Sequence, residues 1–229
     1  MALWCIVPDA GKGLRVGGTL PKQYLALKNS TVMQCTLDRL SQLPVQAIII
    51  PVAEDDQTAM QLTYQKPSLL RFVAGGKERA DSVLAGLDAI SHEAAQDDWV
   101  LVHDVARPCV RLSDIEKLIA AVADSPVGGL LANRVRDTMK RGDNALVQET
   151  VARDNLWHAL TPQLFRYGLL RDALQQAHQA NQTITDEAQA IERLGLSPLL
   201  VEAAQDNIKI TWPDDLALAE VFLAMQEKS

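Results

Sequence analysis

The sequence predicts an α/β fold, a mostly parallel sheet covered by helices. Three observations carry this. Short apolar runs without polar alternation recur along the chain, as strands buried on both faces require. Stretches with apolar residues at helical spacing lie between them. The two alternate through most of the 229 residues, the mark of β-α-β crossovers and of a Rossmann-like sheet that takes ligands at the carboxyl ends of its strands. At 48% hydrophobic, the chain can bury an ordinary core within a single domain spanning 1–229.

In chain order, Leu3–Val7, Ala47–Val52, Leu70–Val73, Trp99–His103, Gly129–Ala132 and Leu199–Glu202 read as strands. Ser30 caps a helix running to about Leu43. The helix Arg79–Ile90 carries Val83, Leu84, Leu87 and Ile90 on its apolar face, and Ser113 with Glu116 forms a capping box before Leu118 and Ile119. Further helices cover Tyr167–Gln179, Asp186–Leu194 and Pro213–Met225, the last with proline at its first position. One stretch breaks the alternation: Asn133 to Asn155, "NRVRDTMKRGDNALVQETVARDN", has a Gly-Asp-Asn turn between polar segments and reads as a β-hairpin. Its apolar residues are too sparse for a core. It either packs on a second copy in a two-fold dimer or is a solvated excursion.

The net charge of −7 argues against a general nucleic-acid or anionic-membrane surface, so cations must be placed locally. Three cysteines, an odd number without C-x-x-C spacing, indicate neither a disulfide framework nor a zinc site and fit a reducing cytoplasm. The start "MALWCIV" lacks a basic n-region and a cleavage site, and no apolar run approaches the roughly 20 residues that cross a bilayer.

The chemistry is concentrated in short segments. "LWCIVPDAGKGLRVGGTLPKQY", Leu3 to Tyr24, combines glycines with Lys12, Arg15 and Lys22 and suits a polyphosphate. It fails the dinucleotide fingerprint at Val16 and the P-loop pattern at Thr19, and Val16 also disfavours a hydride-transfer enzyme. "WVLVHD" ends at Asp104 with Arg107 beyond it, either a functional pair at a strand end or a turn salt bridge. "GGKERADS", Gly75 to Ser82, offers backbone donors and a hydroxyl that suit a base edge, or simply a glycine turn and helix cap. His158 in "NLWHALTPQ" reads as a packed or hydrogen-bonded structural residue, and Thr185 in "TITDEAQAI" as a helix cap. In "DNIKIT", Lys209 sits inside an apolar strand, where an ammonium needs an anion or solvent. No nucleophile with an adjacent base can be read, so the inventory suits phosphoryl or nucleotidyl transfer assisted by Mg²⁺.

Taken in order, "AGKGLR…PKQY", "GGKERADSV", "VHDVARP", "VRDTMKR", "LWHALTPQ", "TDEAQA" and "DNIKIT…PDDLALAE" resemble the 2-C-methyl-D-erythritol 4-phosphate cytidylyltransferase family over nearly the whole chain. The resemblance implies a nucleotidyltransferase sheet with a protruding hairpin dimerisation arm at about 133–155, a homodimer, and formation of CDP-methylerythritol and pyrophosphate from CTP and methylerythritol phosphate in non-mevalonate isoprenoid synthesis. It implies a catalytic set of Arg15, Lys22, Arg153 and Lys209, with Gly11 and Gly13 as loop donors and Asp9 and Ala10 beside the nucleotide. Gly76 and Ser82 match the positions that read cytosine, and Asp104 matches the acid near ribose and Mg²⁺. Arg107, Thr161, Thr185 and Lys209 match positions around the methylerythritol phosphate, while Thr138 and Arg153 match hairpin residues that reach the neighbouring subunit's site. The chain departs from the family at Asp9 and Val105, where alanines are usual, and at Lys77, where an acidic or polar residue is frequent. Unless it points to solvent or helps hold a metal, an Asp9 carboxylate beside CTP repels the triphosphate or crowds the base and ribose, and weaker CTP binding that Asp9→Ala improves is expected. Alternatives are a cytidylyltransferase for another polyol phosphate, such as ribitol 5-phosphate, and a non-catalytic CTP-binding protein.

Overall fold

The computed structural model describes residues 1–10 and 20–228. After β1 (Leu3–Ile6), a 3₁₀ turn at Lys22–Tyr24 leads to the two-residue strands β2 (Ala26–Leu27) and β3 (Ser30–Thr31), then α1 (Val32–Leu40) and β4 (Ile48–Val52). There follow α2 (Thr58–Gln61), β5 (Leu70–Ala74), α3 (Arg79–Ala89), β6 (Trp99–Val102) and α4 (Leu112–Val122). β7 (Gly128–Arg134) runs into the hairpin β8 (Met139–Asp143) and β9 (Leu146–Val151), and the chain returns as β10 (Trp157–Arg166). It closes with α5 (Tyr167–Gln179), α6 (Glu187–Glu192), β11 (Leu199–Glu202) and α7 (Asp214–Gln226).

Seven strands form one sheet in the order β11-β7-β10-β6-β1-β4-β5. All neighbours pair in parallel except β10, which runs antiparallel to both β6 and β7. Alternation along β1 divides the core: Cys5 and Val7 join the α1 side with Met33, Leu37 and Ile50, while Trp4 and Ile6 join the α3 and α5 side with Val83, Leu87 and Phe165. Both faces are therefore apolar, which is why β1, β4 and β6 read as unbroken hydrophobic runs. Each fully buried Ile or Leu adds about 1.5–3 kcal/mol. At Gly86 a Cβ would sit 2.9 Å from Ile6 Cγ2, so α3 lies close on β1. A third cluster under α7 holds Leu27, Cys109, Ile210 and Leu223.

The six predicted strands are present, most within a residue of their predicted bounds and β7 three residues longer, and helix Tyr167–Gln179 has the predicted bounds. Four features differ from the sequence reading. α1 is capped by Thr31, whose side chain accepts from Gln34 N–H in a capping box, and it ends at Leu40. α4 begins at Leu112 with Arg111 at its cap position and no side-chain cap bond, so Ser113 and Glu116 lie inside the helix. "DNIKIT" is not a strand; its backbone is tied to the Asp104–Arg107 turn by the Ile210 N–H donating to the Ala106 carbonyl at 2.8 Å. β10 is an added central strand. Its register shifts between Ala159 and Gln163, around Pro162, and that bulge erases the alternation that would have marked a strand.

Candidate active site

The carboxyl ends of β1 and β6, the Gly75–Ser82 turn and the Lys209 segment meet around a cavity of about 240 Å³. Ala10, Lys22, Gly76, Ser82, Asp104 and Lys209 all line it. The turn is tight because Gly76 N–H donates to Ser82 Oγ at 3.1 Å. Neither glycine tolerates a side chain: a Cβ at Gly75 would lie 2.5 Å from Ala10 Cβ, and one at Gly76 would lie 2.2 Å from Asp81 Cβ. Lys22 reaches across the cleft, its Nζ donating to the Ile210 carbonyl at 3.2 Å.

Asp104 is the hub. Arg79 Nε donates to Oδ1 at 2.9 Å, Lys209 Nζ to Oδ2 at 2.8 Å, and Arg107 Nε stands 3.7 Å from Oδ2. Burial alone would push this carboxyl up, but Arg79, Lys209 and Arg107 outweigh it and hold it well below the usual carboxylate range. Arg79 also meets the buried Glu187 at the start of α6, at 2.6 Å. Burial lowers Arg107 from its ordinary value, only partly offset by Asp104. Its Nε has no hydrogen-bond partner among the described residues.

Beneath the hub a chain of hydrogen bonds fixes the strand ends. Asp104 N–H donates to Thr161 Oγ at 3.0 Å, and Thr161 Oγ lies 3.2 Å from His103 Nδ1. His103 Nε2 stands 3.0 Å from the Arg107 carbonyl, so Nε2 carries the proton and Nδ1 accepts. Burial lowers His103 to about 4, so it is neutral near pH 7. Asn207 Nδ2 donates to the Thr161 carbonyl at 2.9 Å, and Arg107 Nη1 donates to the Asn207 carbonyl at 2.8 Å.

A cation-ringed acid at a strand end, beside a tight glycine turn, suits nucleotide and phosphate chemistry but does not name a substrate. The family model for "IspD: 2-C-methyl-D-erythritol 4-phosphate cytidylyltransferase" matches residues 3–225. The chain belongs to the 2-C-methyl-D-erythritol 4-phosphate cytidylyltransferase family. It is 50% identical over 230 residues to the protein of that description from Hahella chejuensis, covering 99% of this chain and 95% of the relative. It is 49% identical over 225 residues to that of Vibrio atlanticus, covering 97% and 96%. The crystal structure of the Francisella tularensis cytidylyltransferase superposes with a TM-score of 0.85 at 36% identity, covering 97% of this chain and all 100% of that one.

Of the positions matching the cytidylyltransferase family, Asp9, Ala10, Lys22, Gly76, Ser82, Asp104 and Lys209 share one cleft, with Thr161 and Arg107 bonded to its floor. Gly11, Gly13 and Arg15 lie outside the described residues. Thr185 is exposed, and the cap of α6 is Asp186 rather than Thr185; Asp186 accepts from Gln189 N–H at 2.9 Å. Thr138 and Arg153 are exposed on the hairpin, where Arg153 donates to the Arg136 carbonyl. His158 is exposed instead of packed, opposite Asn133 in register and ahead of the bulge in β10. Sequence reasoning passed over Arg79 and Glu187 as site residues. An arginine on the first turn of a helix beside a candidate phosphate loop was the available signal.

Asp9 turns its carboxyl to the α1 side of the sheet, towards Gln23, Tyr24, Tyr64 and Asp56. Burial first, then Asp56, raises it well above the usual carboxylate range, against the opposing pull of Lys22 and Gln23. An upward shift of this carboxyl weakens the charge conflict anticipated from sequence. As for Mg²⁺, both Asp104 oxygens already face cations, and no group of three or more His, Cys, Asp or Glu that could hold a metal occurs among the described residues. These residues do not fit a resident ion.

Proposed function

We propose that the chain transfers the cytidylyl group of CTP to 2-C-methyl-D-erythritol 4-phosphate, giving CDP-methylerythritol and pyrophosphate in isoprenoid biosynthesis. The observation that carries the residue roles is the meeting of Lys22, Arg79, Arg107 and Lys209 around Asp104 at one strand end. Two phosphates must be brought together against their mutual repulsion. Three cations held by one buried acid, with Lys22 lining the same cleft, supply that compensation before substrate arrives, without reorganisation at the moment of reaction.

In the mechanism this supports, the methylerythritol phosphate oxygen attacks the α-phosphorus in line, and the bond to the bridging oxygen of pyrophosphate breaks. Lys22 neutralises the charge developing on the α- and β-phosphates, joined by Arg15 and the amides of Gly11 and Gly13. Gly76 and Ser82 read the cytosine edge, Ala10 packs beside the nucleotide, and Asp104 orients the ribose. Arg107, Lys209, Thr161 and Thr185 hold the acceptor phosphate, with Thr138 and Arg153 contributed by a second copy through the hairpin. Exposed Leu146 (74%) and Val147 (64%) at the hairpin tip support a homodimer, because a monomer gains nothing from apolar residues there. Mg²⁺ enters as part of the CTP complex. Among the described residues no helix is long and apolar enough to cross a membrane, and the three cysteines are free, which supports action in the cytoplasm.

Pyrophosphate release from CTP, with methylerythritol phosphate and ribitol 5-phosphate supplied in parallel, tests the assignment. Turnover with the first only is expected. Preference for ribitol phosphate, or CTP binding without release, would replace it.

A further inference from the structure

The second cavity beside the catalytic turn, about 310 Å³, has Asp9, Gln23, Tyr24 and Asp56 in its wall. Asp9 is held by its backbone: its N–H donates to the Pro51 carbonyl at 2.8 Å, and it bridges Val52 in parallel beyond the end of β1. Gln23 is the middle residue of the 3₁₀ turn whose first residue is Lys22. Asp9 and Gln23 are 6% and 3% exposed, and the Gln23 amide lies close enough to act on the Asp9 carboxyl. Each nevertheless keeps one buried oxygen, Asp9 Oδ2 and Gln23 Oε1, with no partner. Two stranded acceptors on neighbouring side chains lack one thing, a proton between them. A carboxylate only accepts, whereas a carboxylic acid and a primary amide each present one donor and one acceptor and close a ring of two hydrogen bonds.

We propose that Asp9 is a protonated positioning residue, paired acid-to-amide with Gln23, that fixes the turn carrying Lys22 against the end of β1. The inference rests on the reading of Lys22 as the cation at the transferred phosphate. The other two residues of the turn are fixed from different sides. Tyr24 donates its hydroxyl to Asp56, and Lys22 Nζ donates to the Ile210 carbonyl. The Asp9 pair ties the turn to the end of β1.

The surroundings favour the acid form. Asp56 opposes a second negative charge, Tyr24 and Tyr64 stand on the same side and Asp55 lies on the cavity wall, while Lys22 and the Gln23 amide favour ionisation but are outweighed by burial and Asp56. Ionised, Asp9 would leave Gln23 Oε1 without a donor and bury an uncompensated charge beside Asp56.

The test compares wild type, Asp9→Ala, Asp9→Asn and Lys22→Ala. Asp9→Ala is expected to lower kcat by about 10–100-fold, the scale of a small misplacement of a catalytic group, with KM for CTP much less affected. Asp9→Asn keeps one donor and one acceptor and recovers most of that loss. The wild-type kcat should fall on the alkaline side as the acid ionises, and this limb should be missing from Asp9→Asn. Wild-type kcat in Asp9→Ala, with thermal unfolding unchanged, overturns the proposal, as does an Asp9→Asn protein no better than Asp9→Ala. Isotope-edited infrared difference spectra between wild type and Asp9→Asn read the protonated carboxyl without turnover. Its absence at neutral pH also overturns the pair, whereas undiminished kcat in Lys22→Ala would overturn only the catalytic reading of Lys22.

Discussion

Replacing Asp104 with asparagine removes the charge on which Arg79, Arg107 and Lys209 converge while keeping the side-chain shape. The Arg79 bond is 2.9 Å long between side chains 26% and 10% exposed, so a charge-assisted contribution of about 1.5–3 kcal/mol applies. The Lys209 bond is shorter, 2.8 Å, but its lysine side chain is 40% exposed, and screening reduces that arm to under about 1 kcal/mol. Together they give about 2–4 kcal/mol, in line with the loss of one partner from a buried pair. For a chain of this length that corresponds to a Tm lower by about 5–15 °C, read by circular dichroism at pH 7. The sign with pH follows from the direction of the shift. A carboxyl held below its unfolded value contributes stability above about pH 3.9 and loses it as pH falls towards the folded value, so the gap between Asp104→Asn and wild type should narrow below about pH 4. An unchanged Tm, or a gap constant down to acid pH, would refute the hub.

Asp9→Asn should behave in the opposite sense. The wild-type carboxyl is raised in the folded state, so its stability is fully present below about pH 3.9 and declines at up to about 1.36 kcal/mol per pH unit as pH rises towards the folded value. Urea denaturation across a pH series should therefore show the variant gaining on wild type through that window, and parallel curves would contradict a protonated Asp9. Gly76→Ala places a Cβ 2.2 Å from Asp81 Cβ and must displace the first turn of α3; KM for CTP is expected to rise more than kcat falls, with unchanged KM speaking against cytosine recognition there. If the hairpin completes a neighbouring site, Arg153→Ala and Lys22→Ala proteins, each inactive alone, should regain partial pyrophosphate release when mixed. Mixed samples that exchange subunits yet stay inactive would end that reading.

Legibility in the sequence followed locality. Strands buried on both faces must be apolar throughout, so β1, β4 and β6 were plain in "LWCI", "IIIPV" and "WVLV". β10 was not, because it enters the sheet antiparallel and carries Pro162 and a register shift through its middle. The α6 cap moved by one residue, from Thr185 to Asp186, because both side chains suit the role and only backbone geometry separates them. The cations of the site were visible in composition and order. Their pairing was not: Arg79 with Glu187 and Lys209 with Asp104 join segments more than a hundred residues apart, and no local pattern encodes such contacts. Asp9 was legible as an oddity, but the upward shift of its carboxyl depends on burial and on Asp56, which sequence does not measure.

The place of β10 in the sheet bears on synthesis. β1, β4, β5 and β6 all leave the ribosome before the hairpin, yet the free side of β6 is filled only when Gln163–Arg166 arrives to pair with Trp99–Val102. Until then the nascent half displays an apolar strand with open amides and carbonyls, a template for pairing with another unfinished copy. Chains halted within the hairpin should thus be the species that most needs a chaperone.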